Sequence, residues 1–176
     1  MKIPTFLILA FGAITGLSVQ LSEDIPDGLF TADFSTGNLT NLEMLALYEP
    51  TEPADIDNET APITRLALPI SQISCNRFFN LNGADYEASL RILQGYCSSE
   101  PTVKTYGILG FKVRNSVAYM CNYGKPIECL SSELTTDMLT LDSWCNDHTL
   151  AGFVWHRGVQ KTYGRSLLSQ SICGNM

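Results

Sequence analysis

Two segments of the chain carry an apolar stripe with helical spacing. In each segment the stripe falls at positions i, i+4, i+7 and i+11, namely Tyr86, Leu90, Leu93 and Cys97, then Leu134, Met138, Leu141 and Cys145. This period predicts two amphipathic helices. Each stripe ends in an aromatic residue followed by cysteine, Tyr96-Cys97 and Trp144-Cys145. We therefore expect both rings and both sulfurs to enter a common core.

The residues before each stripe are typical of helix starts. Asn82 and Ser131 are of the residue types that favour the N-cap position. Asp85 and Glu133 follow in the predicted first turns, where the helix dipole favours a carboxylate. Both helices therefore have a predicted N-terminus.

Strand-like runs follow each helix. They cover 105–113 and 117–123 after the first helix, and 150–156 and 159–163 after the second. Residues 114–116 form a short connection, and Arg157-Gly158 is a predicted two-residue turn in which glycine takes a positive φ. With a further strand around 63–73, the pattern predicts an α+β fold. We expect a two-layer sandwich of two helices on an antiparallel sheet, built from a helix–strand–strand unit used twice.

The beginning of the chain has the pattern of a secretory signal. A basic start at Lys2 precedes an apolar run over 6–17 that is too short to span a bilayer, and small residues precede Val19. We predict a signal peptide over 1–18 and a secreted, extracellular protein without a membrane span. Asn38 and Asn58 begin N-x-T sequons, which predict glycosylation in a eukaryotic host.

A charge boundary divides the remaining chain. Residues 19–68 contain ten acidic side chains and one basic, whereas 69–176 are close to neutral. We interpret 19–68 as an acidic, proline-containing extension with a linker over 49–62, and 69–176 as a six-cysteine domain. Within the extension, 28–34 alternates as a strand does, and 39–47 fits either a short helix or another strand. The extension is either a solvated segment, or a pro-segment or partner-binding arm.

All six cysteines lie in the second region, and their even number predicts three disulfides. They are Cys75, Cys97, Cys121, Cys129, Cys145 and Cys173. Cys129 and Cys145 flank a predicted helix about 20 Å long, so they should not pair. Cys121 and Cys129 are close enough in sequence to pair around Gly124 and Pro126, and the other pairings stay open.

The sequence contains few of the motifs that indicate catalysis or cofactor binding. The two histidines, His148 and His156, stand in no metal-binding spacing, and no phosphate loop, nucleophile elbow or clustered basic patch occurs. We therefore expect no metal and no cofactor, and the acidic balance argues against nucleic acid as a partner. The chain is more typical of a binding protein than of an enzyme.

One segment resembles an enzyme family. Residues 150–158, LAGFVWHRG, are similar to a segment of small secreted fungal ribonucleases. The resemblance implies that His156 is the general acid, with Glu128 or Glu133 as the base and Arg165 as the phosphate ligand. That family also has a second histidine on a strand before the glutamate, and 117–123 contains none.

A second resemblance covers most of the chain. The segments that carry it are 25–31, 85–86, 96–97, 117–124, 151–154 and 161–165, together with Cys75 and Cys173. They resemble small secreted cysteine-rich proteins of filamentous fungi, which are similar in size and build to effectors and killer toxins. The likeness implies extracellular action on a host or competitor and assigns no catalytic residue.

We therefore expect a monomeric, effector-like or toxin-like protein that binds an extracellular or host protein or glycan. Aromatic and arginine side chains dominate interface energetics. The candidate binding residues are accordingly Tyr106, Tyr123, Trp155, Tyr163 and Arg165, and Tyr163-Gly164-Arg165 is a candidate recognition loop. The alternatives are a ribonuclease-like hydrolase centred on His156 and a cell-wall or surface structural protein.

Overall fold

The computed structural model describes residues 19–49 and 68–173. The predicted signal peptide, most of the predicted linker and Asn58 lie outside the described residues. The strands are β1 (Val19–Gln20), β2 (Gly28–Asp33), β3 (Thr40–Leu47), β4 (Gln72–Asn80), β5 (Thr102–Val103), β6 (Gly107–Val113), β7 (Ser116–Asn122), β8 (Ile127–Glu128), β9 (Leu150–His156), β10 (Lys161–Leu167) and β11 (Ser171–Ile172). The helices are α1 (Gly83–Cys97) and α2 (Ser131–Cys145). The fold is α+β.

Seven of the strands form one antiparallel sheet in the order β3-β2-β6-β7-β10-β9-β4. Strand β2 pairs with β6 along its whole length, and β3 pairs with β2 at the sheet edge. Strands from both sides of the expected boundary at residue 68 therefore share one sheet. The segment that fitted a helix or a strand is a strand, β3.

Both faces of this sheet are covered, because alternate residues of the central strands enter two different cores. One core lies between the sheet and the helices and contains Leu109, Phe111 and Met120. The other contains Ile108 and Tyr119, which point to the opposite face. That second core is closed by side chains of the N-terminal segment, β1 and β11, including Val19, Leu21, Ile25 and Ile172.

Helix α1 begins as predicted. The side chain of Asn82 is the N-cap and accepts a hydrogen bond from the backbone N–H of Asp85. The prediction for α2 is wrong, because Ser131 is the first helical residue and the cap position is Leu130, which has no side-chain cap bond. A side chain from the sheet takes over part of this role, as described below.

The predicted stripes are buried except at their edges. Leu93, Cys97, Leu134 and Leu141 are inaccessible or nearly so, while Leu90 is only half-buried. The expectation that Trp144 enters the core is wrong, because its side chain is 66% exposed. Trp144 immediately precedes Cys145, and one residue along a helix turns the side chain by about 100° away from the stripe.

Three disulfides hold the fold together: Cys75–Cys145, Cys97–Cys129 and Cys121–Cys173. The prediction that Cys129 and Cys145 do not pair is confirmed. The candidate pair Cys121–Cys129 is wrong, because Cys121 lies on the face of β7 away from the helices, whereas Cys129 faces the end of α1. Cys97–Cys129 instead joins the end of α1 to the residues before α2.

The connections between strands differ in detail from the prediction. Arg114 and Asn115 link β6 to β7, with Arg114 at a φ of 49°. The turn between β9 and β10 has four residues, and its positive φ belongs to Gln160 and not to Gly158. The strand expected around 63–73 begins at Gln72 in the described chain.

In the ranges 19–49 and 68–173, neither helix has the length and hydropathy needed to cross a bilayer.

Candidate functional site

A row of acidic and basic side chains lies between α2 and the sheet. Alternation along β10 puts Lys161, Tyr163 and Arg165 on the helix-facing side, and His156 of β9 is the cross-strand neighbour of Lys161. The acidic partners come from α2, where Glu133 and Asp137 are one turn apart. Asp142 lies further along the same helix.

His156 of β9 is buried, at 1% exposure. Its Nδ1 lies 3.2 Å from the carbonyl of Pro69, and its Nε2 lies 2.6 Å from Oδ2 of Asp137. Because a carbonyl only accepts, Nδ1 carries a proton, and a second proton lies between Nε2 and the carboxylate. Burial lowers the pKa of His156, but the hydrogen bond and charge of Asp137 outweigh it and raise that pKa above its ordinary value.

Lys161 and Tyr163 share Glu133. The Lys161 ammonium is almost inaccessible and pairs with Oε2 of Glu133, and it also donates to the carbonyl of Glu128. The hydroxyl of Tyr163 lies 3.3 Å from the same carboxylate oxygen and accepts the N–H of Leu130 at 3.1 Å. Tyr163 therefore satisfies a donor at the start of α2, in place of the missing cap. Burial, together with the Glu133 charge, raises the pKa of Tyr163 well above its ordinary value.

Arg165 is completely buried and joins four elements of the fold. Its guanidinium donates to the carbonyls of Leu150 and Asp147 at 2.7 and 2.9 Å and pairs with the carboxylate of Asp142. It also lies over the ring of Tyr86 of α1, with Cζ 5.0 Å from the ring centroid, and donates to its hydroxyl. Such a set of partners fits the planar fork of arginine and makes Arg165 a structural residue.

The residues that the ribonuclease resemblance implies therefore do not form an open acid–base site. His156 faces Asp137 beneath α2, Glu133 is paired with Lys161, and the side chain of Glu128 is exposed on β8. Sequence reasoning missed Asp137 and Asp142. The available signal was the helical spacing of Glu133 and Asp137 beside the buried stripe residue Met138.

The candidate binding residues are divided between surface and interior. Tyr163 and Arg165 are inaccessible, and Tyr163-Gly164-Arg165 lies inside β10 and is not a loop, which corrects that expectation. Trp155 is 8% exposed and packs edge-on against Tyr123, which is half-buried. Tyr106 is 38% exposed and contacts the ring of Phe34. Tyr106, Tyr123 and Trp155 thus form part of an aromatic row on the sheet face away from the helices.

An open groove of about 380 Å³ continues this face toward the edge strand β4. Side chains of β4, β7, β9 and β10 line it, together with residues 169–171. Its rings are Phe79, Tyr119 and Phe153, and its polar groups are hydroxyls and amides that include Ser74, Asn76, Ser166 and Gln170. None of the lining residues carries a charge.

Two further apolar surfaces are exposed. On β4, Phe78 is 91% exposed beside the groove residue Phe79. On the outer side of α2, Leu139 and Trp144 border a shallow hollow with Thr136, Thr140 and Ser143.

Asn38, the first predicted sequon, is exposed in the turn before β3, which is a position that a glycan can occupy.

Comparisons with protein-family models, with curated proteins and with solved structures give no match to this chain. In the part of the chain that the structure describes, no group of three or more histidine, cysteine, aspartate or glutamate side chains is arranged to hold a metal ion. The chemistry of the two faces of the sheet is therefore the guide to function.

Proposed function

We propose that this is a secreted, effector-like or toxin-like protein that acts outside the cell by binding a host or competitor molecule, as a monomer and without catalysis. The observation that carries the proposal is the contrast between the two faces of the sheet. The side chains best suited to acid–base chemistry, His156 and Lys161, are buried in ion pairs under α2. The groove on the opposite face offers aromatic rings, hydroxyls and amides.

The buried row supports binding over catalysis for a geometric reason. A general acid must come within hydrogen-bond reach of the atom that it protonates. The Nε2 of His156 is directed at Asp137, and the side chain is 1% exposed, so a substrate would have to displace α2 to reach it. The burial of Arg165 likewise leaves its guanidinium fully engaged with protein acceptors.

Secretion is supported by the three disulfides, since such bridges persist in oxidising compartments. The sequence adds the predicted signal peptide and the resemblance to secreted fungal proteins. We also propose that α1 with β6 and β7, and α2 with β9 and β10, are the two helix–strand–strand units of a two-layer sandwich. The support is their order along the chain and their packing on one sheet face.

The test has two arms, both on the protein purified from culture medium with its disulfides intact. In the first arm, labelled protein is titrated onto host and competitor cell surfaces, and we expect saturable binding that unlabelled protein displaces. In the second arm, the protein is incubated with RNA, alongside a His156→Gln variant whose fold is checked by circular dichroism. RNA cleavage by the parent protein that disappears in folded His156→Gln would contradict the proposal and favour the hydrolase.

A further inference from the structure

We infer that the groove on the sheet face away from the helices binds a neutral oligosaccharide. The inference depends on the proposed binding function and names the class of ligand for it. Three properties of the groove point to such a ligand: its lack of charge, its combination of polar and aromatic groups, and its size.

The lining of the groove offers no counter-charge to an ionic ligand. No lysine, arginine, histidine or carboxylate lines it. The basic side chains of β9 and β10 point to the other face and are paired there with α2. On the groove side of the sheet, Lys112 is buried in a pair with Asp27. A phosphate, nucleic acid or acidic glycan would therefore lose its hydration without gaining a counter-charge.

The polar groups of the groove suit a ligand with many hydroxyls. The hydroxyls of Ser74 and Ser171 can donate and accept. Within the groove, Ser166 donates to Oε1 of Gln170, and Oδ1 of Asn76 accepts the N–H of Phe78. The amide nitrogens of Asn76 and Gln170 add N–H donors, and each amide oxygen has a second lone pair. Sugar hydroxyls also donate and accept, so they can satisfy such a lining at many points. A purely apolar ligand would bury these groups without partners, which costs free energy.

Aromatic rings in the groove provide surfaces on which sugar rings can stack. Phe153 of β9 and Phe79 of β4 line the groove along with Tyr119. The C–H face of a pyranose ring packs on an aromatic face, while the hydroxyls at its rim reach polar side chains. Phe153 is half-buried and Phe79 is 38% exposed, so both have ring surface available to a ligand.

The shape of the groove is set by small residues in the sheet. Ala151 and Ser166 contribute little volume to its floor, and Gly164 leaves room for the ring of Tyr119. The volume of about 380 Å³ is near the lower end for small-ligand sites. A short stretch of a neutral oligosaccharide matches this size, with the remainder of the chain continuing into solvent.

The test is a titration of the ¹⁵N-labelled protein with hexasaccharides of chitin, cellulose, β-1,3-glucan and xylan. We expect at least one of them to shift the amide resonances of the groove strands, with a Kd at or below about 1 mM. The variants Phe153→Ala and Asn76→Ala should each weaken that binding about tenfold. Trp144→Ala, on the outer side of α2, is the matched aromatic control and should bind as the parent does.

Two results would overturn the inference. One is that none of the four sugars shifts any resonance, and the other is that Trp144→Ala loses binding while both groove variants retain it. If Phe153→Ala does not fold, Asn76→Ala and the shift map of the parent protein still decide the question.

The outcomes also separate this inference from the proposed function. Protein that binds cell surfaces but no neutral sugar would retain the function and reject the groove ligand. A sugar that is bound and then cut, as seen by chromatography of the mixture, would retain the groove ligand and reject a purely binding role.

Discussion

The Nε2 of His156 lies 2.6 Å from Oδ2 of Asp137, and both side chains are almost inaccessible to water. The strand β9 provides the base and the helix α2 provides the acid, so the pair fixes the helix on the sheet. A buried pair of this kind is costly to break from one side, because the remaining charge loses its partner. The pair therefore gives His156 a structural role.

The variant Asp137→Asn should destabilise the protein in a pH-dependent way. A histidine whose pKa is raised on folding contributes stability below its unfolded pKa of about 6.5, and this stability is lost as the pH rises through the raised value. We expect a loss of about 3 kcal/mol near pH 5, which shrinks progressively above pH 6.5. Urea unfolding of the parent and the variant from pH 5 to pH 9 measures this loss in the free energy of unfolding.

The control for this experiment is Glu23→Gln, which removes an exposed carboxylate and should leave the free energy of unfolding nearly unchanged. If the free energies of unfolding of the parent and Asp137→Asn differ by the same amount from pH 5 to pH 9, the raised pKa of His156 is contradicted.

The variant Arg165→Lys should be destabilised although it keeps the positive charge. A lysine ammonium cannot serve the Leu150 and Asp147 carbonyls, the Tyr86 hydroxyl and the Asp142 carboxylate from one position. We expect a loss of about 2 to 3 kcal/mol in urea unfolding. The matched control is Arg157→Lys in the exposed turn after β9, for which the change should be within about 0.5 kcal/mol. Equal stability of the two variants would reject the structural role of Arg165.

Gly164 should not tolerate a methyl group. A Cβ at this position would lie 2.4 Å from the hydroxyl oxygen of Tyr119 and 2.9 Å from the carbonyl oxygen of Gly152. Because Tyr119 is buried, it cannot move aside easily, and Gly164→Ala should cost about 1 to 3 kcal/mol. In contrast, a Cβ at Gly95 of α1 would meet nothing within 4 Å, and Gly95→Ala should stabilise the helix by about 0.5 to 1 kcal/mol. Thermal unfolding of the two variants should therefore move in opposite directions.

The disulfide pattern can be checked directly on the native protein. Peptide mapping without reduction should recover the pairs Cys75–Cys145, Cys97–Cys129 and Cys121–Cys173. Replacing both cysteines of any one pair by serine should cost about 2 to 5 kcal/mol. A peptide that joins Cys121 to Cys129 would contradict the fold, since these sulfurs belong to opposite faces of the sheet.

The two tryptophans should report different environments. Trp144 is 66% exposed on α2, whereas Trp155 is 8% exposed and packs against Tyr123. Replacing Trp144 by phenylalanine should therefore shift the fluorescence emission to shorter wavelength and reduce quenching by acrylamide. Trp155→Phe, the matched control, should shift emission the other way. Similar spectra from both variants would mean that Trp144 is covered.

The sequence alone predicted the parts of the fold that depend on local periodicity. Helical spacing located both helices, and Asn82 was recognised as a cap because its side chain acts on the next turn of the same segment. Strand-like runs located β6, β7 and β9, with boundaries that differ by at most two residues at either end. The helix length was also enough to exclude the pair Cys129–Cys145, since both cysteines belong to one segment.

What the sequence could not decide depends on residues that are distant along the chain. Ser131 has the composition of a cap, yet the start of α2 is satisfied by Tyr163 of β10. Strand β2 pairs with β6, although a charge boundary separates the two segments. Neither contact has a local signal, because each is selected by how the whole sheet is assembled.

The same division applies to the candidate site. The sequence determined which chemical groups are present, namely two histidines and eleven lysine or arginine residues against eighteen acidic residues. With no motif for a metal or a phosphate, this composition made metal and phosphate chemistry poor hypotheses. Only the tertiary structure decided that His156, Lys161 and Arg165 face α2 while the groove stays neutral. The physical reason is that a strand presents alternate side chains to opposite faces, and which face a helix then covers depends on packing between segments far apart in the chain.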